Sequence, residues 1–260
     1  MGEWAGIHDN EQQLVHGGQT HAQHVDNGDF DGFLLYPQSS SGWLTPYETT
    51  VLALLDSMVK YVKVDQDRII IGGLSSGGQA TWQYVTDHPE RWAATTPISA
   101  KNTEYNDLSW VPSVLSIPAW VANGGQDHAP TPDQITAIVD AYNALGGDIK
   151  QSFYPTLGHG VWNNFWAEPG YFQYLAVAHK AEPVVKFGRT EFCPGDSVRA
   201  VMILQPGFYQ YEWQKDGVDI PGGTLDSLVI TSFYFRLVGL VTPADSNFFE
   251  RGYYYSSHSG

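Results

Sequence analysis

Short apolar runs alternate with stretches of helical spacing along the first 180 residues of the chain. The continuous runs predict buried β-strands at residues 33–36, 68–71, 92–98, 117–122 and 149–154. Helical spacing predicts helices over 45–63, after Gly78 and over 133–145, and the glycines at 72 and 73 are expected to break the second strand. This alternation is typical of an α/β fold, with a mostly parallel sheet and helices on both of its faces.

The pattern changes near residue 181. From residue 183 onward the helical spacing is lost, and turns rich in Gly and Pro separate strand-like runs at 184–185, 197–204, 209–214, 225–231 and 233–240. We therefore predict two domains, with residues 1–180 forming the α/β domain and residues 183–260 forming an all-β sandwich.

The composition agrees with a folded chain, because 42% of the 260 residues are hydrophobic and 16% are charged. The net charge of −15 argues against binding to nucleic acid or to anionic membranes, since phosphate groups would be repelled. No apolar run reaches the length of about 18 residues that indicates a membrane span, and no signal peptide is visible. Cys193 is the single cysteine, so an intramolecular disulfide is excluded.

The first chemical signal is the motif Gly-Leu-Ser-Ser-Gly at residues 73–77, between strand 68–71 and a predicted helix. A nucleophile elbow needs this context, because flanking glycines let the chain turn sharply and expose the central Ser75 hydroxyl at a helix N-terminus. The same pattern also occurs in ordinary turns rich in Gly and Ser. Ser76 is the neighbouring alternative nucleophile, but it lies off the centre of the motif.

Two further candidates follow later strands. Asp127 lies just after strand 117–122, and His159 lies between two glycines after strand 149–154. A loop carboxylate that supports a turn and a structural histidine are the alternatives. The chain order Ser, Asp, His is the order that α/β-hydrolases use, and it favours a nucleophile, an orienting acid and a general base.

Aromatic residues and histidines add weaker candidates. Trp162 lies three residues after His159 and would either line a substrate pocket or belong to a core or lid, while Trp43 and Trp110 are weaker pocket candidates. Histidines at 8, 16, 21 and 24 crowd the N-terminal segment, but their spacing fits no standard metal pattern. We therefore predict no metal and no other cofactor.

Three further segments resemble one group of α/β-hydrolases: Val-Asp-Gln-Asp-Arg-Ile at 64–69, His-Pro-Glu-Arg-Trp-Ala-Ala at 88–94 and Ile-Pro-Ala-Trp at 117–120. This group holds secreted esterases similar to polyhydroxybutyrate depolymerases, feruloyl and acetylxylan esterases, and predicted peptidases. The resemblance covers about residues 1–178. It implies Ser75 as nucleophile, His159 as general base, Asp127 as its orienting acid and the Ser76 N–H as an oxyanion donor. It also implies a secreted or cell-surface location, and similar esterases often carry a Trp at the place of Trp162.

The resemblance further implies that the chain lacks the first strands of the α/β domain. Residues 1–6 look like the loop that supplies a second oxyanion N–H in such esterases, while the strand before this loop and the two preceding strands have no counterpart. In the usual strand order, the strand before this loop would lie between 33–36 and 68–71. We therefore expect a gap or a rearranged pairing there, together with poor solubility and little activity.

The second domain resembles bacterial immunoglobulin-like modules. Residues 211–217, Tyr-Glu-Trp-Gln-Lys-Asp-Gly, look like their strand C with Trp213 in the core, and residues 192–198 look like their opening strands. The segment is shorter than the ~100 residues of an immunoglobulin sandwich, so an incomplete module is expected. Such modules serve as spacers or as weak carbohydrate contacts.

These features predict a serine hydrolase that cleaves carboxylic esters, with polysaccharide or polymer esters as the substrates. A serine peptidase is an alternative within the same chemical class. A non-catalytic surface or adhesion protein on a decayed hydrolase scaffold is the alternative from another class, and the complete Ser, Asp, His set argues against it.

Overall fold

The computed structural model describes residues 12–39, 41–45, 47–105, 107–180, 183–187, 200–204, 210–215, 218–230, 237–242 and 250–254. The loop predicted at residues 1–6, His8, Cys193 and the opening strands predicted at 192–198 lie outside these residues.

A parallel sheet forms the centre of the α/β part, residues 12–180. Its strands are β1 (Ile70–Leu74), β2 (Ala94–Ile98), β3 (Ala119–Gly124) and β4 (Ile149–Tyr154). They pair in the order β1-β2-β3-β4, and every one of these pairings is parallel. The α/β fold and four of the five predicted strands are thus confirmed, with strand ends that differ by a few residues from the predicted ends.

Residues 33–36 are irregular, so the prediction of a strand there is wrong. An apolar run forms a strand only where its backbone groups find partners, and the other side of β1 pairs with no strand in the described part of the chain. Residues 33–37 instead line a cavity of about 460 Å³ together with Ile70 and Gly72 of β1.

The glycines at 72 and 73 do not break β1, which continues through them to Leu74. The sheet leaves no room for side chains here. A Cβ on Gly72 would overlap the Thr96 hydroxyl of β2, and a Cβ on Gly73 would overlap the backbone of Gly77. These glycines therefore allow close packing inside a regular strand.

Helices cover both faces of the sheet, as predicted. In the described part of the chain they are α1 (Gly18–Asp26), α2 (Tyr47–Tyr61), α3 (Ser76–Asp87), α4 (Val111–Val114), α5 (Pro132–Ala144), α6 (Trp162–Trp166) and α7 (Tyr171–Val177). Successive residues of β3 separate the two faces. Val121 joins the core formed with α2 to α5, whereas Trp120 joins the core formed with α6 and α7.

Trp82 of α3 is the centre of the first core. Its ring is fully buried, its indole N–H donates to the Ala100 carbonyl at 3.2 Å, and its centroid lies 5.0 Å from that of Trp110. The Tyr84 hydroxyl donates to the carbonyl of Trp43 at 2.5 Å. Trp43 and Trp110 are both buried in this core, so their prediction as pocket residues is wrong.

Antiparallel strands follow residue 183. They are β5 (Val184–Phe187), β6 (Ala200–Ile203), β7 (Gln210–Lys215), β8 (Val218–Asp219), β9 (Ser227–Ile230), β10 (Leu237–Thr242) and β11 (Glu250–Tyr254). One sheet has the order β11-β10-β7-β8 and the other has the order β5-β6-β9. Trp213 is fully buried, and its indole N–H donates to the Leu225 carbonyl at 2.8 Å. Antiparallel strands are thus confirmed, whereas the immunoglobulin-like identity and the two-domain division stay predictions.

No helix among the described residues has the length and apolar character that a membrane crossing requires.

We expect Trp82→Ala to lower the free energy of unfolding by about 3–5 kcal/mol, because it removes a large buried ring and leaves a cavity. Urea denaturation of the full chain measures this loss. Leu54→Ala on α2 is the control, since Leu54 is 42% exposed and its truncation should cost less than about 1 kcal/mol. Equal losses in the two variants would contradict the central place of Trp82 in the core.

Candidate active site

Ser75 lies in the turn between β1 and α3, at the carboxyl end of β1. Its backbone has φ 51° and ψ −119°, a region that residues other than glycine rarely adopt. The Ser75 N–H donates to the Ile98 carbonyl at 2.9 Å, which joins the turn to the end of β2. This strained strand-to-helix turn is the geometry of a nucleophile elbow.

His159 lies in the loop between β4 and α6 and touches both other candidates. Its Nε2 is 2.8 Å from Ser75 Oγ, and its Nδ1 is 2.8 Å from Asp127 Oδ2. A carboxylate accepts only, so the Nδ1–H of His159 donates to Asp127 and leaves Nε2 to accept from the Ser75 hydroxyl. The structure thus brings the three predicted residues together in one hydrogen-bonded chain.

The Asp127 carboxylate is much less exposed to solvent than the His159 imidazole. The Asp127 side chain is 3% exposed, compared with 37% for His159. Its second oxygen, Oδ1, accepts the N–H of Ala129 at 3.0 Å, so both carboxylate oxygens have donors. A shielded and fully bonded carboxylate is held in one orientation, and it therefore fixes the plane of the imidazole.

The loops that carry Asp127 and His159 are packed directly against each other. The register of the sheet pairs Gly124 with Tyr154, so β3 and β4 end at the same level. The Gly125 N–H donates to the Tyr154 carbonyl at 2.8 Å, and the Gln126 N–H donates to the Leu157 carbonyl at 2.9 Å. A Cβ on Gly124 would overlap the Gly158 carbonyl, so only glycine allows this approach.

Ser76 is the first residue of α3 and directly follows Ser75. Backbone N–H groups of the first helical turn have no acceptor inside the helix, and they lie at the positive end of its dipole. The Ser76 hydroxyl is buried and has no hydrogen-bond partner among the described residues. The Ser76 N–H thus lies at this positive end of the helix dipole, next to Ser75.

Trp162 borders the imidazole, whereas His128, next to Asp127, is exposed in its loop. The Trp162 ring meets the His159 ring edge-on, with centroids 6.1 Å apart and an interplanar angle of 85°. The Trp162 side chain is half-buried at the start of α6, so part of its surface beside His159 is accessible to solvent.

Two of the N-terminal histidines, His21 and His24, pack α1 against α7. His21 Nδ1 lies 2.8 Å from the Gly17 carbonyl and Nε2 lies 3.2 Å from the Tyr171 hydroxyl, while His24 stacks on Phe172. Burial lowers the pKa of His21, which favours the neutral ring in this packing role. Within the described residues, no three side chains of metal-ligating type come together.

Ser99, which follows β2, is not predicted as a site residue by any motif in the sequence. Its hydroxyl donates to the carbonyl of His159 at 2.7 Å. Its φ is 48°, and no pattern of the surrounding Ile-Ser-Ala sequence indicates a left-handed serine. Only the folded chain shows that this residue reaches the histidine loop.

A hydroxyl, an imidazole and a carboxylate in this order can activate the hydroxyl for attack on a carbonyl carbon. The imidazole accepts the hydroxyl proton, and the carboxylate stabilises the imidazolium that results. All three groups lie on loops after β1, β3 and β4, at the shared carboxyl edge of the sheet.

No protein-family model matches the chain. No curated protein matches it either.

Solved hydrolase structures are similar to the chain in fold. The crystal structure of a thermostable esterase has a TM-score of 0.51 and 23% sequence identity, and the match covers 55% of this chain and 43% of that one. A ferulic acid esterase has a TM-score of 0.49 with 17% identity, over 67% of this chain and 82% of that one. An S-formylglutathione hydrolase from Staphylococcus aureus has a TM-score of 0.41 with 16% identity, over 50% and 60% of the two chains.

The chain thus spans less than half of the length of the thermostable esterase. At 23% identity this similarity concerns the fold alone. It shows that the α/β part of the chain shares its fold with that esterase.

Proposed function

We propose that this chain is a serine hydrolase that cleaves carboxylic esters. The observation that carries the proposal is the hydrogen-bonded chain from Ser75 Oγ through His159 to Asp127, with a length of 2.8 Å for each bond. The strained backbone of Ser75 at the start of α3 and the fold shared with a thermostable esterase support it.

In the proposed reaction, Ser75 Oγ attacks the carbonyl carbon of the ester while His159 Nε2 accepts the hydroxyl proton. Asp127 stabilises the imidazolium, and the Ser76 N–H donates to the oxyanion. The intermediate collapses, and the alcohol leaves with the proton from His159. Water, deprotonated by the same imidazole, then attacks the acyl-enzyme, which releases the acid and restores the Ser75 hydroxyl.

The proposed substrates are esters on polysaccharides or other polymers. The half-buried Trp162 beside His159 supports this choice, because an indole face suits a sugar ring or an aromatic acyl group. The net charge of −15 disfavours nucleic acids as partners. A secreted or cell-surface location fits such substrates and belongs to the same proposal.

Ser75→Ala and His159→Ala should each lower the hydrolysis of short-chain nitrophenyl esters on the order of 10⁶-fold, and Asp127→Asn on the order of 10⁴-fold. The first two remove the nucleophile and the base, whereas the third removes only the charge that orients the base. Rates relative to the unaltered chain are the measurement, together with labelling by a fluorophosphonate, which detects a reactive serine even where turnover is slow.

Ser76→Ala is the matched comparison for Ser75→Ala. It removes the competing hydroxyl and keeps the backbone N–H, so fluorophosphonate labelling should continue. Labelling of Ser75→Ala at the unaltered rate would refute Ser75 as nucleophile. No labelling of the unaltered chain would favour the non-catalytic scaffold, and faster cleavage of an amide than of the ester with the same acyl group would favour a peptidase.

Trp162→Ala should raise KM about 10-fold for nitrophenyl esters of aromatic acids and leave KM for nitrophenyl acetate within about twofold. Acetate is too small to reach the indole, whereas an aromatic acyl group packs on it. Steady-state kinetics on the two esters measure the difference. Equal changes for both esters would show that Trp162 supports the loop and does not contact the substrate.

A further inference from the structure

Ser75 and Ser99 are the two non-glycine residues with positive φ in the described part of the chain. The positive φ of Ser75 belongs to the nucleophile elbow between β1 and α3. Ser99 follows β2, has φ 48° and is 1% exposed. A left-handed backbone is unfavourable for serine and easy for glycine, so a serine at this point indicates that its side chain has a use.

The hydroxyl of Ser99 makes a long-range contact. It donates to the carbonyl of His159, 60 residues along the chain, at 2.7 Å. The Ser99 N–H donates to the Ala122 carbonyl of β3 at 2.8 Å, which holds its backbone to the sheet. The hydroxyl therefore ties the histidine loop to a fixed point of the parallel sheet.

Ile98, the residue before Ser99, is hydrogen-bonded to the main chain of Ser75. The Ile98 carbonyl accepts the N–H of Ser75 at 2.9 Å. The dipeptide 98–99 thus binds the main chains of Ser75 and His159 at the same time. The 2.8 Å separation between Ser75 Oγ and His159 Nε2 depends on the relative position of these two main chains.

The main-chain carbonyl of His159 has few restraints besides the Ser99 hydroxyl, whereas the imidazole is held by Asp127. The His159 side chain is 37% exposed, and its carbonyl otherwise accepts only the N–H of Val161 at 3.0 Å among the described hydrogen bonds. That second bond lies within the loop and moves with it. The Ser99 hydroxyl is therefore the contact that fixes the carbonyl of His159 relative to the nucleophile.

We propose that Ser99 is a positioning residue that holds His159 at the distance Ser75 requires. The expected effect of Ser99 on the reaction rate rests on the proposed function. Its expected effect on the position of His159 rests on geometry alone. Ser99 touches no reacting atom, and its influence passes through the main chain of His159.

The test compares Ser99→Ala and Ser99→Gly with Ser152→Ala in the full chain. Both Ser99 variants lose the hydroxyl, and glycine also removes the backbone strain, so at least one variant should fold. Ser152 is the matched control, because it is a buried serine on β4 whose hydroxyl accepts the Trp120 indole N–H at 3.0 Å and has no described hydrogen bond to Ser75, Asp127 or His159.

Both Ser99 variants should lower kcat for nitrophenyl acetate about 10–100-fold and leave KM within about twofold. The reason is that a displaced base slows the chemical step and does not change substrate binding. Ser152→Ala should change kcat less than twofold. A kcat within twofold of the unaltered chain in both Ser99 variants would overturn the inference.

The background His159→Ala separates positioning from general damage. If Ser99 acts through His159, Ser99→Ala should cause no further loss of the residual activity in this background. A further loss as large as in the unaltered chain would overturn the inference.

Proton NMR gives a result that does not depend on turnover. The Nδ1–H proton shared by His159 and Asp127 should give a downfield signal that broadens or disappears in both Ser99 variants and stays in Ser152→Ala. An unchanged signal in both Ser99 variants would overturn the inference.

If the unaltered chain neither hydrolyses esters nor reacts with a fluorophosphonate, the proposed function fails, and the NMR result alone decides the role of Ser99.

Discussion

The site depends on the shared edge at which the parallel strands end. Ser75 and His159 are 84 residues apart along the chain, and His159 and Asp127 are 32 apart, yet both pairs lie within hydrogen-bond distance. Parallel pairing brings the loops after β1, β3 and β4 to one side. A register slip by one residue would displace a loop by about 3.3 Å, which is more than a hydrogen bond tolerates.

Packing on both faces keeps this edge rigid. All six residues of β3 are buried, with Val121 in one core and Trp120 in the other. The Trp120 ring meets the rings of α6 and α7 on its face of the sheet, and the ammonium of Lys150 lies 3.3 Å from its centroid. The strand that leads to Asp127 is thus fixed along its whole length, which explains how a loop residue can hold a defined position.

Much of the α/β part can be predicted from local sequence. Strand β4 has the predicted bounds, and Ser75, Asp127 and His159 follow strands in the predicted order. Residues 33–36 could not be predicted in this way, since an apolar run becomes a strand only with a neighbour. Trp43 and Trp110 were misassigned because a tryptophan has the same local sequence signal in a core and in a pocket. Ser99 left no signal at all, since its partner is 60 residues away.

The difference in exposure between Asp127 and His159 has a consequence for the response to salt. Mobile ions screen charges that water reaches, with a Debye length of about 8 Å at physiological ionic strength, and they screen buried pairs far less. Because the Asp127 carboxylate is 3% exposed, counterions cannot gather around it, even in a chain with a net charge of −15. Salt therefore weakens the orienting interaction with the imidazole less than it weakens pairs at the surface, such as Arg91 with Asp56.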